Sequence, residues 1–343
     1  MNILSLCGNY NSLKDGIGRY GKIFNDVLAK DENSVDRVFV ATGYTDELTK
    51  KQLLFSLEMS KAIKKAIAII KMEKIDILII EYPFMEHNPL ILFFFLYLKL
   101  ICNKKKIMII LSLHEYLRAK KLRKILIKIL IKISDKVIVS DEETKSSLLK
   151  YSKNIFIRDI PCMIELPKEY NKVSNGEFVY FGLVNNSKAF YPMINAWKKF
   201  NIGMKYVLNV ITSSDINISD NNRYGINILQ NLDEIQIAEY MKSANYCILP
   251  ILPEVNYNNS TFKTASMFGC ISVGKFADDF KNLKFIVDIP SYEEEELIKG
   301  LNRVIQFNEN EKMLKFDLSK NFGKKFTMKN AVIQTIKIII GFV

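Results

Sequence analysis

Glycine and proline are scarce, at fourteen and eight among 343 residues. That scarcity excludes a collagen-like or low-complexity chain. Histidine is scarcer still, with two, and the five cysteines (Cys7, Cys102, Cys162, Cys247, Cys270) are dispersed and odd in number. Neither set has the spacing of a zinc site or a disulfide framework, so a reduced compartment and no metal are expected. The stretch "PLILFFFLYL" is apolar for ten residues, too few for a membrane span, and reads as a helix buried against a sheet or as a membrane-dipping element. The opening "MNILSLCGNYN" has no basic leader and no long apolar segment, so it reads as a first strand and not as a signal peptide. A zinc finger, an aromatic sheet motif and a compact basic reading helix are all missing, which argues against nucleic acid as a partner.

What is present is a folded, basic chain. Hydrophobic residues make up 49% and charged residues 25%, and the formal net charge is +12. With nucleic acid set aside, that charge suits an anionic membrane surface or an anionic substrate. The length favours two domains. "NILSLCG", "RVFVATG", "IDILIIEYP", "KKKIMIILSLHEY", "DKVIVSD" and "NIFIRDIP" are continuous apolar strands separated by helical stretches. The pattern restarts with "GEFVYFGLV", "KYVLNVITS", "YGINILQNL", "NYCILPIL", "GCISVGK" and "KFIVDI". Such alternation predicts an α/β chain of two Rossmann-like domains, with parallel sheets covered on both faces. The predicted domains are 1–168 and 169–325, with 326–343 a C-terminal helix that crosses back to the first domain or packs at its base.

One helix is strongly basic. In "RAKKLRKILIKILIKISDK", Leu122, Ile125, Leu126, Ile129, Leu130 and Ile133 recur at helical spacing, among Lys120, Lys121, Arg123, Lys124, Lys128 and Lys132. It either lies on anionic lipid or docks its apolar stripe on the sheet with its lysines in water.

Open α/β sheets bind ligands beyond the C-terminal ends of their strands, and two in tandem face a cleft. Residues just after strands are therefore the candidates. After the first strand, Gly16 and Gly18 allow close backbone approach, and the following helix start can meet an anion. Arg19 and Tyr20 come with them. After the fourth strand, His114 in "SLHEY" is placed to accept a proton or position a hydroxyl, with His87 as its competitor. In "YFGLVNNSKAFYP", Gly182 permits a close turn, Asn186 and Ser187 offer polar contacts, and Lys188 arrives at a helix start where a phosphate is met by amine and amides together. The loop "PEVNYNNSTFKTASMFG" offers Glu254, Asn256, Asn258, Asn259, Ser260 and Thr261, a surface suited to a polyhydroxyl group plus a phosphate. Lys263, farther along that helix, either turns toward a diphosphate or faces solvent.

Five pieces in order carry a family resemblance: "DGIGRYGKIFNDVLAK", "SLHEY", "LIKISDKVIVSDEETKSSL", "YFGLVNNSKAFYPMINAW" and "YMKSANYCILPILPE…TASMFGC". The chain resembles glycosyltransferases of the GT-B architecture, in particular the retaining, family 4-like group that builds bacterial polysaccharides and lipid-linked glycans. By that resemblance Gly16 and Gly18 lie near the donor diphosphate and acceptor, His114 near the reacting sugar, and Lys188 on the donor phosphates. Gly269 closes the helix after the sugar loop. The chain departs from the family where Leu183 or Val184 stands for an arginine, and where Asn256 and Thr264 stand for two glutamates that touch the donor sugar and ribose.

The resemblance implies transfer of a sugar from a nucleotide-diphosphate sugar to a cell-surface polysaccharide, glycolipid or lipid-linked acceptor, with retention, without a metal or other cofactor. Catalytic roles fall to His114 and Lys188. Arg19, Tyr20, Lys120, Lys121, Arg123, Lys124 and Lys128 would form the acceptor or membrane side of a cytoplasmic, peripheral protein. The second reading is a non-catalytic GT-B-like partner of an active transferase, because the arginine and the glutamate pair are missing. A nucleotide-sugar epimerase is a third, and needs two acids and a histidine together.

Overall fold

The computed structural model describes residues 1–9, 16–44, 58–83, 91–117, 119–164 and 176–341, so His87 lies outside the described residues. The first unit comprises 1–159 and 328–343, and the second 160–327.

In the first unit, β1 (Asn2–Asn9), β2 (Arg37–Tyr44), β3 (Ile77–Tyr82), β4 (Met108–Leu113), β5 (Lys136–Val139) and β6 (Ile155–Ile157) form one parallel sheet in the order β2-β1-β3-β4-β5-β6. The run "ILIIEY" of β3 is buried along its whole length, as a strand covered on both faces must be. Helices α1 (Gly16–Leu28), α2 (Glu58–Met72), α3 (Ile91–Lys105), α4 (Lys121–Ile133) and α5 (Glu142–Leu148) connect the strands. The steps from β2 to β3, β4 and β5 all run the same way along the sheet. Right-handed crossovers therefore put α2, α3 and α4 side by side on one face, and α1 on the other.

The second unit repeats the plan. Its strands β7 (Phe178–Phe181), β8 (Leu208–Thr212), β9 (Ile226–Gln230), β10 (Tyr246–Leu249), β11 (Ile271–Gly274) and β12 (Ile286–Asp288) are parallel in the order β12-β11-β10-β7-β8-β9. Helices α6 (Phe190–Phe200), α7 (Glu234–Ser243), α8 (Ser260–Met267), α9 (Glu294–Ile305) and α10 (Glu309–Gly323) surround them. Asp233 caps α7 in a reciprocal box with Gln236. All five cysteines are buried, and none forms a disulfide.

The chain leaves the first unit after Asp159, nine residues before the predicted boundary at 168. Two contacts bind the departing segment to the second unit. The amide of Cys162 donates to the carbonyl of Phe326 (2.7 Å), and the carbonyl of Ile160 accepts from Lys263 Nζ (3.1 Å). The last helix, α11 (Met328–Ile340), belongs to the first unit and packs on α1. Lys136 Nζ donates to the terminal carbonyls of Ile338 (2.6 Å) and Ile339 (3.0 Å), a cation at a helix C-terminus.

The α4 stripe differs from the expected one. Its buried residues are Ile127, Leu130, Ile131 and Ile133, whereas Leu122 and Ile125 point outward. The helix is apolar on more than one side, so the sheet takes only the row that faces it. For the same reason α3 buries Ile91, Phe95, Leu98 and Cys102 while exposing Phe93 and Leu100.

Candidate functional site

In the first unit, a polar cluster forms at the C-terminal ends of β3, β4 and β6, where strand runs that bury both faces end in residues of another kind. Nε2 of His114 lies 2.7 Å from Oε2 of Glu81 and 3.3 Å from the Ser112 hydroxyl. Arg158 donates to Ser112 Oγ (2.9 Å) and to Thr335 Oγ1 of α11 (3.2 Å). Its guanidinium also lies over the rings of Tyr20 (5.4 Å) and Phe24 (5.1 Å) of α1. Tyr20 in turn meets the His114 ring edge-on, with centroids 4.8 Å apart.

Burial alone would raise the Glu81 carboxyl. The hydrogen bond and charge of His114, the charge of Arg158 and the Ser112 hydroxyl outweigh it, and hold the pKa below the ordinary carboxylate value. Burial drives Tyr20 far above the usual phenol range, with Arg158 opposing. A carboxylate only accepts hydrogen bonds, so a neutral His114 carries its proton on Nε2 and leaves Nδ1 as the accepting nitrogen. Oε1 of Glu81 and the Tyr20 hydroxyl are buried with no hydrogen-bond partner among the described residues.

The other residues expected on the acceptor or membrane side are placed as follows. Gly16 opens α1, Gly18 is buried and Arg19 half-buried. Lys120 and Lys121 are exposed at the start of α4. Arg123 pairs with Glu115 (3.4 Å), Lys124 lies over Tyr116 (5.4 Å), and Lys128 lies over Tyr151 (5.1 Å).

In the second unit, the switch in strand order falls between β7 and β10, the place where open α/β sheets form a crevice. The loops after these two strands meet there. Ala189 donates its amide to Pro250 (2.7 Å), Leu252 donates to the carbonyl of Ser187 (2.9 Å), and Lys188 forms a β-bridge with Ile251. Gly182 takes φ +136°, a region that side chains avoid, and a Cβ there would stand 3.6 Å from Thr261 Oγ1. The chain thus turns directly beside the start of α8.

Lys188 is half-buried, and burial lowers its amine below the ordinary lysine value, with Cys247 opposing. No hydrogen bond or ion pair engages that amine among the described residues. It sits two residues before α6, whose N-cap, Ala189, offers no side-chain acceptor. Asn186 and Ser187 are exposed beside it, and Ser187 folds its hydroxyl onto Asn185 Oδ1 (2.6 Å).

Across the crevice, Glu254 and Asn256 are half-buried and Asn258 is exposed, with its amide on Asn256 Oδ1 (3.1 Å). Asn259 caps α8 by accepting from the amide of Phe262 (2.8 Å). The amides of Ser260 and Thr261 have no acceptor among the described residues, and both side chains are half-buried. This edge offers one cation, the Glu254 carboxylate, two helix starts and several neutral hydrogen-bonding groups, a set chemically suited to a phosphate joined to hydroxyl-rich groups.

Lys263 and Thr264 correct the sequence expectation. Lys263 faces neither solvent nor the crevice: it is fully buried, its amine on the Ile160 carbonyl and 4.4 Å from the Phe326 ring centre. Thr264 is buried against the Cys162 thiol, which burial pushes up to about 12. Gly269, at φ +70°, closes α8 in the left-handed conformation. Glu81, Ser112 and Arg158 were not singled out from sequence. One signal was there: Glu81 is a lone charge inside an apolar strand, and a buried charge requires a partner.

No protein-family model matches the chain, and no curated protein sequence is similar to it. Solved structures are similar along its full length. The lipopolysaccharide outer core galactosyltransferase WaaB, in its apo form, is 10% identical, covers 100% of both chains and superposes with a TM-score of 0.64. WaaG, a glycosyltransferase involved in lipopolysaccharide biosynthesis, is 12% identical over 99% of this chain and 100% of its own, at 0.64. HepE from Anabaena, in complex with UDP, is 10% identical over 99% and 100%, also at 0.64. Identities this low speak for architecture alone. With its two six-stranded parallel sheets and their covering helices, this chain has the GT-B glycosyltransferase fold.

Proposed function

We propose that the chain is a glycosyltransferase that moves a sugar from a nucleotide-diphosphate sugar to a cell-surface polysaccharide, glycolipid or lipid-linked acceptor. The observation that carries this reading is Lys188: a half-buried amine with no partner among the described residues, at the strand-order switch beside an uncapped helix start. As the donor bond breaks, charge develops on the leaving diphosphate. Lys188 and the first amides of α6 and α8 stabilise it without a metal. Asn256, Asn258 and Ser260 bind sugar or ribose hydroxyls. His114, held by Glu81, serves the acceptor hydroxyl through Nδ1, and the anomeric configuration is retained. The names of the similar structures support the reading: two concern lipopolysaccharide synthesis and one holds UDP. The protein works in the cytoplasm, peripheral to the inner face of the cell membrane.

The buried Thr264 favours a second reading, a non-catalytic partner subunit, because this side chain cannot take over a ribose contact at the crevice. One experiment separates the two: a thermal-shift screen with uridine, guanosine and thymidine diphosphate sugars, followed by a product assay with the donor that binds. A donor that stabilises wild type but not Lys188→Ala, and is consumed, supports transfer. Binding without turnover favours the partner subunit, and no binding of any donor removes the transferase reading.

A further inference from the structure

Five carboxylates of the second unit are held back from full exposure among the described residues: Glu177, Glu254, Asp288, Glu294 and Glu296. Four of them are answered. Glu177 accepts from the Ser243 hydroxyl (2.8 Å) and Asp288 from the amide of Phe276 (2.9 Å). Glu294 pairs with Lys199, and Glu296 with Lys299 (2.6 Å). Glu254 has neither a hydrogen bond nor an ion pair among the described residues. Its charge reaches Lys281 and Tyr292, but both are committed elsewhere. Lys281 is held by Asp278 (2.6 Å), and the Tyr292 hydroxyl donates to the carbonyl of Leu249 (2.8 Å). Taking a carboxylate partly out of water without a partner costs free energy, so the group points to a ligand that supplies the missing donors.

The loop fixes where that carboxylate stands. On one side, Leu252 donates its amide to Ser187 (2.9 Å), the neighbour of Lys188. On the other, Val255 donates to the carbonyl of Lys275 (2.8 Å), accepts from the amide of Ala277 (2.9 Å) and is fully buried in the core. Glu254 sits between these two anchors, half-buried at the crevice edge. Two residues of extended chain span at most about 7 Å, so its backbone lies that close to the anchor beside Lys188. One sugar ring bridges such a gap. A phosphate held by Lys188 and the first amides of α6 therefore sets its attached sugar against Glu254. An ionised carboxylate accepts hydrogen bonds and cannot donate them. It suits hydroxyls, which donate, and repels a sugar that carries a carboxylate of its own while Lys188 is occupied by the phosphate.

We propose that Glu254 selects the sugar of the donor: the crevice takes a nucleotide sugar whose ring is uncharged and rich in hydroxyls, and rejects the matching uronate. The inference rests on the donor site proposed above and names the class of sugar that this site accepts.

The test is calorimetric titration of the full chain with uridine and guanosine diphosphates, with UDP-glucose and GDP-mannose, and with the two matching uronates. Each uronate differs from its hexose by a carboxylate in place of a hydroxymethyl group. For the nucleotide that binds, wild type is expected to hold the hexose at least about tenfold more tightly than the uronate. Glu254→Gln keeps the shape and removes the charge, so that ratio falls to within about threefold while affinity for the diphosphate alone stays within about threefold. Its melting temperature does not fall, because no partner is lost. Lys188→Ala instead weakens the diphosphate and both of its sugars alike. Equal affinity of wild type for hexose and uronate would overturn the proposal and leave the donor site standing, and so would a preference that survives Glu254→Gln. Failure of both diphosphates and all four sugars to bind would remove the donor site, and this inference with it.

Discussion

Oε2 of Glu81 lies 2.7 Å from Nε2 of His114, with the glutamate side chain 1% exposed. A carboxylate buried so fully persists only if its charge is answered, and His114, Ser112 and Arg158 answer it together. The pair fixes the ring: Nε2 is committed to Glu81, which leaves Nδ1 as the accepting nitrogen, the atom that would serve the acceptor hydroxyl in the proposed transfer. Glu81→Gln can offer Nε2 either its oxygen or its amide, so the ring is no longer held in one tautomer. Turnover is expected to fall on the order of 10²-fold while donor affinity stays within about twofold. Equal losses in both would assign Glu81 to the fold alone.

The same carboxylate predicts a pH dependence of stability. Its folded pKa is depressed, so its contribution is present above the unfolded value, about 4.3, and is lost as the pH falls through the lower folded value. The difference in melting temperature between wild type and Glu81→Gln is therefore expected to be widest near neutrality and to shrink below about pH 4. A gap that stays constant over that range would mean the carboxylate charge is not what stabilises the cluster.

Lys188 makes the opposite prediction. Burial disfavours its charged form, so at neutral pH the amine is a small liability to the folded state, relieved as the pH rises through its lowered pKa. Lys188→Ala is expected to be as stable as wild type at pH 7, yet to lose transfer by roughly 10²–10³-fold, with weaker binding of the nucleoside diphosphate. Urea unfolding and a donor titration on the same sample check both halves. Undiminished turnover would take the lysine out of the mechanism.

Much of this was legible in the sequence. Twelve largely apolar runs mark the twelve strands of the described residues, because a strand covered on both faces is apolar at most of its positions. The strand-end rule then selects His114 and Lys188. What the sequence does not carry is the company these residues keep. Glu81 and Arg158 stand 33 and 44 positions from His114, and only the β3-β4-β5-β6 order brings them to one edge. Lys263 was misjudged for a related reason. A lysine on a short helix belongs in water unless a distant carbonyl takes its charge, and the carbonyl here is that of Ile160, 103 positions away. The α4 stripe was misplaced because the helix is apolar on several sides and periodicity alone cannot say which row the sheet takes.

Lys263 therefore belongs to stability and not to the donor. Its amine holds the segment that opens the second unit, and Phe326, near that unit's end, covers it. Lys263→Ala removes the hydrogen bond and opens a cavity, a loss expected at about 2–4 kcal/mol. Lys263→Met keeps most of the volume and should lose less. Neither variant changes donor affinity once folded. A selective loss of nucleotide binding at unchanged stability would return Lys263 to the crevice.

The helix α11 completes the first unit through one hydroxyl in particular. Thr335 Oγ1 donates to Ala331 (2.8 Å), accepts from Arg158 (3.2 Å), and is fully buried. Arg158 also steadies Ser112 beside His114, so the helix that ends the chain reaches the polar cluster through two side chains. Thr335→Val keeps the shape and removes the acceptor, leaving one guanidinium donor unmatched at a cost of about 1–3 kcal/mol. Thr335→Ser keeps the hydroxyl and should restore most of that loss. If Arg158 transmits the effect, a double-mutant cycle of Thr335→Val with Arg158→Met gives a coupling of about 1 kcal/mol or more. Additive losses would show that α11 stabilises the unit only by packing on α1. A coupling accompanied by slower turnover in Thr335→Val would show that the same contact also sets the position of His114.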